Sequence, residues 1–220
     1  MQHIIEKNSI IVLSELENAK HSIKHFSVHE NAHLTYFFLV TDSADITIFI
    51  QLLGPKAQAT IFCICLLSEE QTVVINTQQK HSSSRTESQV LVKSIMCDAA
   101  RLTYNGSIII EKDAHKSVAQ QHNKNMLLSS EAYIWANPSL EVLTNDVQCA
   151  HGSASGQVSQ DQLFYLQSRG LGDDVAKKLL LQGFFADILN NMSDNAKHSI
   201  LVKKINEKLE SRFSYFTKKN

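Results

Sequence analysis

The sequence predicts a mainly β body followed by a small helical tail. Three observations carry that reading. Between residues 26 and 150 the apolar residues come in short bursts, "LTYFFLV", "ITIFIQLL", "ATIFCICLL", "TVVIN", "RLTYNGSIIIE" and "EAYIWANPSLEVL". Many alternate with period two, as Ile46, Ile48 and Ile50 do, and they are rich in β-branched and aromatic residues. No stretch between them has the length and period of an amphipathic helix, so the βαβ alternation of an α/β protein is absent. Near residue 157 the period changes to that of a helix.

Residues 1–25 form an N-terminal segment in which Glu6, Lys7 and Asn8 interrupt a short apolar patch. It lacks the basic start and continuous apolar stretch of a signal peptide. Residues 26–156 form the β core. Sandwich, barrel and solenoid all accommodate such strands, but a tight hairpin has one Asn-Gly candidate, Asn105-Gly106, within "RLTYNGSIIIE". With 7 Gly and 2 Pro in the chain, strands stacked in coils and joined by polar corners such as "NTQQKHSSSRTESQ" fit better than hairpins. The strands show no clean internal repeat.

Residues 157–220 form a helical domain. Ser159 or Gln160 caps a first helix through "DQLFYLQSR", with Arg169 in its last turn and Gly170 placed to end it in the left-handed conformation. The second segment, "GDDVAKKLLLQGFFADILNNM", begins with acidic residues and carries Val175, Leu179, Phe184, Ile188 and Leu189 at helical spacing. Ser193 opens a third, with Leu201, Ile205, Leu209 and Phe213 on one face and Lys203, Lys204, Glu207 and Glu210 on the other. The apolar face packs on the β body or docks a partner helix.

The chain has 220 residues and a formal net charge of -1, with no long run of Lys and Arg, so a nucleic-acid or anionic-membrane partner has no support. No apolar run approaches the roughly 20 residues that span a bilayer. Four unevenly placed cysteines do not make a disulfide framework, and a reducing cytoplasm is the expected setting.

Enzyme chemistry lacks its parts. The chain has no phosphate-cradling G-x-x-x-x-G-K-[ST] loop, no G-x-S-x-G elbow and no H-E-x-x-H helix. Asp98 and Arg101 do not make the converging carboxylates of a carbohydrate-cleaving solenoid, and a corner ion pair is the plainer reading. Cys63, Cys65 and Cys97 lie in apolar settings and read as small hydrophobes. His21, His25, His29 and His33 recur every four residues, but the strand pattern from residue 26 breaks any shared helical face. His115 and His122 lie in an amide-rich stretch read as a solenoid corner.

Cys149 and His151 are the candidate site. On a strand, residues i and i+2 point to one face, so a thiolate and an imidazole at this spacing can hold one soft or borderline metal. Two ligands do not close a site. The others would come from a partner subunit, sulfide or water.

The run "LLSSEAYIWANPSLEVLTNDVQCAHGSASGQVSQDQLFYLQSRGLGDDVAKKLLLQGFFADIL" closely resembles the C-terminal half of the SufB/SufD family, the scaffold subunits of SUF iron–sulfur cluster assembly. Upstream, "KHSSSRTESQVLVKSIMCDAARLTYNGSIII" and "AHKSVAQQHNKNMLLSS" resemble that family's strand-rich core, so the likeness covers roughly residues 45–190. It implies a right-handed parallel β-helix with a C-terminal helical domain. It also implies a complex with a SufC-like soluble ABC-type ATPase, held by the helical tail around Phe164, Arg169 and Gly170, and pairing of a B-type with a D-type subunit at the end of the β-helix. An iron–sulfur cluster forms transiently near that pairing surface, and a reduced flavin is associated with the complex. The segment Cys149-Ala150-His151-Gly152 resembles the D-type pattern rather than the glutamate-rich B-type version, which places Cys149 and His151 in cluster assembly.

Family members are about twice this long, and the closing residues depart from the pattern, so the resemblance is to a shortened member. An uncovered strand edge also favours self-pairing. The alternative reading is therefore a non-catalytic interaction protein that homodimerises through its β-helix and handles no cluster.

Overall fold

The computed structural model describes residues 1–15, 20–192 and 195–212. Twelve strands wind as a parallel β-helix: β1 (Gln2–Ile5), β2 (Ile10–Glu15), β3 (His21–Val28), β4 (His33–Val40), β5 (Ala44–Leu52), β6 (Gln58–Leu67), β7 (Thr72–His81), β8 (Glu87–Met96), β9 (Arg101–Ile110), β10 (Ser117–Leu127), β11 (Tyr133–Val142) and β12 (Val147–Gly156). Odd strands form one six-stranded sheet in the order β1-β3-β5-β7-β9-β11, and even strands form the other. Each coil thus gives one strand to each sheet, and neighbouring coils pair in parallel.

The solenoid strands β1 and β2 and the first part of β3 fall within residues 1–25, which the sequence set apart as an N-terminal segment. The strands there are short, and β1 and β2 are flanked by polar residues, which masked their alternation. Ser193 and Phe213 lie outside the described residues. Asn105-Gly106 is not a hairpin turn but the middle of β9.

One corner is built the same way in five consecutive coils. Asn8, Asn31, Lys56, Arg85 and Lys116 sit at φ of 60°, 60°, 59°, 57° and 59°, the left-handed region that turns a strand sharply. Each donates its backbone N–H to a carbonyl of the next coil, those of Glu30, Pro55, Ser84, His115 and Asp146, at 2.5–3.2 Å. Gly54 serves this corner differently. A Cβ there would lie 2.2 Å from the backbone nitrogen of Glu30, so only glycine lets adjacent coils approach.

Alternation along the strands sorts side chains to an interior between the sheets. In the early coils that interior is apolar: Leu34, Phe38, Ile46, Ile48, Ile50, Ile61, Cys63 and Cys65 are all buried there. Toward the later coils it turns polar. Thr77, Gln79 and His81 on β7 and Gln121, Asn123 and Asn125 on β10 are buried. The stretch expected as a polar corner therefore gives Asn76 to His81 to β7 and Glu87 to Gln89 to β8, leaving residues 82–86 as the corner, and the amides around His122 lie on β10 rather than at a corner. Polar residues at alternate positions read as loop in a sequence, yet stacked coils can bury them when they bond one another. His115 does sit at the corner, with its Nδ1 2.9 Å from the Thr144 hydroxyl.

His81 shows how such bonding works. Its Nδ1 lies 2.7 Å from Thr86 Oγ1 and its Nε2 2.7 Å from Ser88 Oγ, while Thr86 Oγ1 reaches Ser117 Oγ at 2.7 Å. Burial without a carboxylate partner pulls the imidazole down to about 4, which keeps it neutral.

The tail comprises α1 (Gln160–Ser168), α2 (Asp173–Phe184), α3 (Ala186–Leu189) and α4 (Asn195–Arg212). Ser159 caps α1 by accepting from the Gln162 N–H, and Gly170, at φ 91°, turns the chain out of it. Leu181, Phe185, Ile188, Met192, Leu201, Ile205 and Leu209 cover Phe37, Leu39, Phe62, Ile64, Leu66 and Ile95 on the outer face of the even sheet. The tail's apolar face thus packs on the β body. Val175 and Leu179 are exposed instead of facing the core, because Leu181 and Phe185 fill that role one helical face around. Lys93, outward on β8, is buried under the tail, with Nζ 2.6 Å from both the Phe184 carbonyl and Asp187 Oδ1.

Two expectations follow. Gly54→Ala should destabilise the protein by about 1–3 kcal/mol through overpacking against Glu30 backbone, read as a lower urea midpoint with unchanged slope. The unfolded chain protonates His81 near pH 6.5 and the folded one near 4, so the stability that the neutral ring contributes is fully present above pH 6.5 and is lost as pH falls toward 4. That gap corresponds to at most about 3 kcal/mol. Urea midpoints at pH 7.5 and pH 5 should separate less in His81→Asn than in the unmodified protein; equal separation would assign the acid sensitivity to another group.

Candidate functional site

Cys149 and His151 lie on β12, whose only strand partner among the described residues is β10. Register decides where they point. Cys149 stands beside Ala119 and His151 beside Gln121, and both of those face the interior and are buried. The pair therefore shares the inward face of the last coil, as the i, i+2 spacing requires. Its surroundings are not those of a closed core, because no further strand covers β11 or β12 among the described residues.

Cys149 is half-buried and packs with Val147 against Ile108, Ile110, Ala114 and Ala119. Burial raises its thiol above the ordinary range, opposed by a hydrogen bond from the Ala119 backbone. His151 is exposed. Ser153 and Ser155 continue the same face and bond the buried amides below, Ser153 Oγ donating to Asn123 Oδ1 at 3.3 Å and Asn125 Nδ2 donating to Ser155 Oγ at 3.1 Å. Across the coil, Leu140 and Val142 on β11 are exposed although their register partners Ile108 and Ile110 are fully buried. The end of the solenoid is thus an open mouth carrying one thiol, one imidazole, hydroxyls and aliphatic side chains.

Beneath the mouth lies a feature that sequence reasoning missed. Gln121 crosses the interior toward Gly106, where an added Cβ would sit 2.0 Å from its Nε2. Gln79 Nε2 donates to Gln121 Oε1 at 3.4 Å, while Gln79 Oε1 and Gln121 Nε2 make no hydrogen bond. The signal for this amide floor was the glycine in a strand, which marks a close approach.

Other candidates separate. Among the described residues no three His, Cys, Asp or Glu side chains gather as a metal site, so Cys149 and His151 provide half of one at most. His21 and His25 face outward on β3, with His25 stacked on Phe49 at 4.6 Å, while His29 and His33 fall at the corner and on β4. Cys63 and Cys65 place their sulfurs 3.5 Å apart inside the solenoid, where burial holds Cys63 protonated. Cys97 is buried under the tail, and burial pushes its thiol up to about 11. Asp98 accepts from the Glu69 backbone N–H at 2.9 Å, a corner contact.

On the tail, Phe164 is 72% exposed and Tyr165, Val175 and Leu179 are also exposed. Arg169 lies over the Tyr165 ring at 5.2 Å. Gly170 has open space around it, so its glycine answers to φ and not to crowding. The sites are thus distinct: Cys149 and His151 lie at the solenoid mouth, and Phe164, Arg169 and Gly170 on the helix that follows it.

The family model for the SUF system FeS cluster assembly SufBD core domain matches residues 1–184. The chain belongs to the SufBD family. It is 28% identical to the iron-sulfur cluster assembly protein SufD of Escherichia coli over 72% of this chain and 38% of that protein. It is 34% identical to SufD of Bacillus subtilis over 64% of this chain and 32% of that one. A SufBD family iron-sulfur cluster assembly protein of Synechocystis is 37% identical over 46% of this chain and 22% of its own length. The match therefore spans less than half of each relative. No helix among the described residues is long and apolar enough to cross a membrane.

Neither of two grooves among the described residues combines an aromatic wall with a cation, as a flavin and its phosphate would need. The groove at Phe49, Asn76 and Asn105 offers a ring and amides without a cation for a phosphate, and the groove between α2 and α4 offers Lys178 without an aromatic wall. No step is assigned to a flavin.

Because Cys63, Cys65 and Cys97 are buried and Cys149 is half-buried, a disulfide reagent should titrate one thiol in the native protein and four in denaturant. The native thiol should disappear in Cys149→Ser; a fast thiol that survives the substitution would place the accessible sulfur elsewhere.

Proposed function

We propose that this SufBD chain is a D-type scaffold subunit of an iron–sulfur cluster assembly complex in a reducing cytoplasm. It pairs through the solenoid mouth with a B-type subunit or a second copy, and its tail holds a soluble ABC-type ATPase. The observation that carries the reading is the placement of Cys149 and His151 side by side on an inward face that no further coil covers. In an interior position such a pair would be inert; at an unpaired end it is a half-site that a second subunit can complete.

The nascent cluster is the cargo of this site. Cys149 binds iron as the thiolate, so loading releases a proton, and its half-buried setting holds the thiol protonated until iron arrives. His151 offers an imidazole nitrogen from the same face. Remaining positions fall to sulfide, water or the partner's side chains. The aliphatic residues Leu140 and Val142 supply apolar contact area, and the unpaired edges of β11 and β12 supply backbone groups for pairing. The exposed Phe164, with Arg169 held over Tyr165 and Gly170 turning the chain, forms the surface proposed to meet the ATPase.

In an anaerobic reconstitution with the other subunits, Cys149→Ser and His151→Ala should each lower cluster yield at least tenfold while the complex elutes intact. Phe164→Asp should release the ATPase without altering the fold measured by circular dichroism. Full cluster yield in both site variants would remove the assigned role and leave the interaction-protein reading, for which a homodimer by light scattering and no bound iron are expected.

A further inference from the structure

The corner formed by Asn8, Asn31, Lys56, Arg85 and Lys116 changes chemistry partway along the solenoid. In the first two coils the side chains bond each other, Asn31 Nδ2 donating to Asn8 Oδ1 at 3.0 Å. Asparagine is also among the residues that best tolerate the left-handed backbone found here. The next three coils place Lys56, Arg85 and Lys116 in the same conformation, all exposed. Cations stacked in successive coils repel instead of bonding, and their residue types suit this backbone less well. Among the described residues none of the three makes an ion pair: Glu30 is engaged by Lys7 at 2.5 Å and Glu111 by Lys80 at 2.8 Å, and Glu87, Asp113 and Asp146, close to the ridge along the chain or across its backbone bond, do not pair with it. The chain as a whole is not basic, with a net charge of -1. At the opposite corner the left-handed positions are acidic, Glu69 and Asp98.

We propose that Lys56, Arg85 and Lys116 form a docking ridge for an acidic helical segment of a partner protein. The spacing favours a helix. Coils stack about 4.8 Å apart, so three cations span about 10 Å. Carboxylates at positions i, i+4 and i+7 of an α-helix span about 10.5 Å along its axis and lie on one face. The ridge's own backbone amides are already bonded to the neighbouring coil, so recognition falls to the side chains. The ridge uses other side chains than Cys149 and His151, although Lys116 at its end lines a groove with Val147 at the start of β12, and failure of the cluster reading leaves it in place.

The test uses the full chain and a fluorescein-labelled, alanine-based helical peptide with glutamates at i, i+4 and i+7. A scrambled peptide of the same composition and a single-stranded oligonucleotide of equal charge serve as comparators, all followed by anisotropy. The glutamate peptide should bind at low salt and weaken as salt rises. Replacing all three cations by asparagine (Lys56→Asn, Arg85→Asn, Lys116→Asn) should weaken it at least tenfold. Because asparagine suits this backbone and can extend the ladder begun by Asn8 and Asn31, the triple variant should keep or raise its urea midpoint. A lowered midpoint would make the cations structural and overturn the proposal. So would unchanged peptide affinity in the variant, equal binding of the scrambled peptide, or tighter binding of the oligonucleotide.

Discussion

The structure depends on one constraint: every coil must satisfy the backbone hydrogen bonds of the next. Parallel strands cannot close on themselves through hairpins, so the donors and acceptors of each strand find partners only in the coils above and below. The amides of the Asn8 to Lys116 corner obey the same rule, each of its five left-handed residues donating to a carbonyl one coil on. A solenoid built this way grows by repetition and is unfinished wherever repetition stops. β11 and β12 are such a place, and among the described residues no strand pairs with their outer edges before the chain turns into a helix.

That constraint explains why chemistry gathers at the mouth. Side chains inside a middle coil are sandwiched between neighbours, and their polar groups are consumed by one another, as His81 is by Thr86 and Ser88. Inward side chains of the last coil keep one side free. Cys149 and His151 are held in register by β10 from below, yet remain open to whatever approaches from beyond β12. The polar later coils form a hydrogen-bonding floor under the mouth, and the apolar earlier coils supply the bulk of the buried core.

The tail completes the body at the same time as it offers a second surface. The even sheet carries large apolar side chains on its outside, including Phe37, Phe62 and Leu66, which the faces of α2 and α4 cover. Lys93, anchored to α2 and α3 through Phe184 and Asp187, pins that contact with a bond that a slipped helix would lose. Exposed apolar residues remain on α1 and α2 because the core takes Leu181 and Phe185 and leaves Val175 and Leu179 outside.

The sequence by itself determined the strands of the core, through period-two alternation that depends only on where successive Cβ atoms point. It also determined the helical tail with its glycine stop at Gly170, and the shared face of Cys149 and His151, since each is a property of neighbours along the chain. Tertiary structure decided what lies between residues distant in sequence. Only the stacking of coils shows that β1, β2 and β3 belong to the solenoid, that Gln79, His81 and Gln121 are interior, and that Gly106 makes room for an amide. A coil repeat that varies in length hides such neighbours: the register offset is 25 residues from His33 to Gln58 and 29 from Gln58 to Glu87. The same stacking turns three separate cations, Lys56, Arg85 and Lys116, into one ridge, a relation that no local pattern encodes because charge adjacency there is set by the hydrogen-bond ladder between coils.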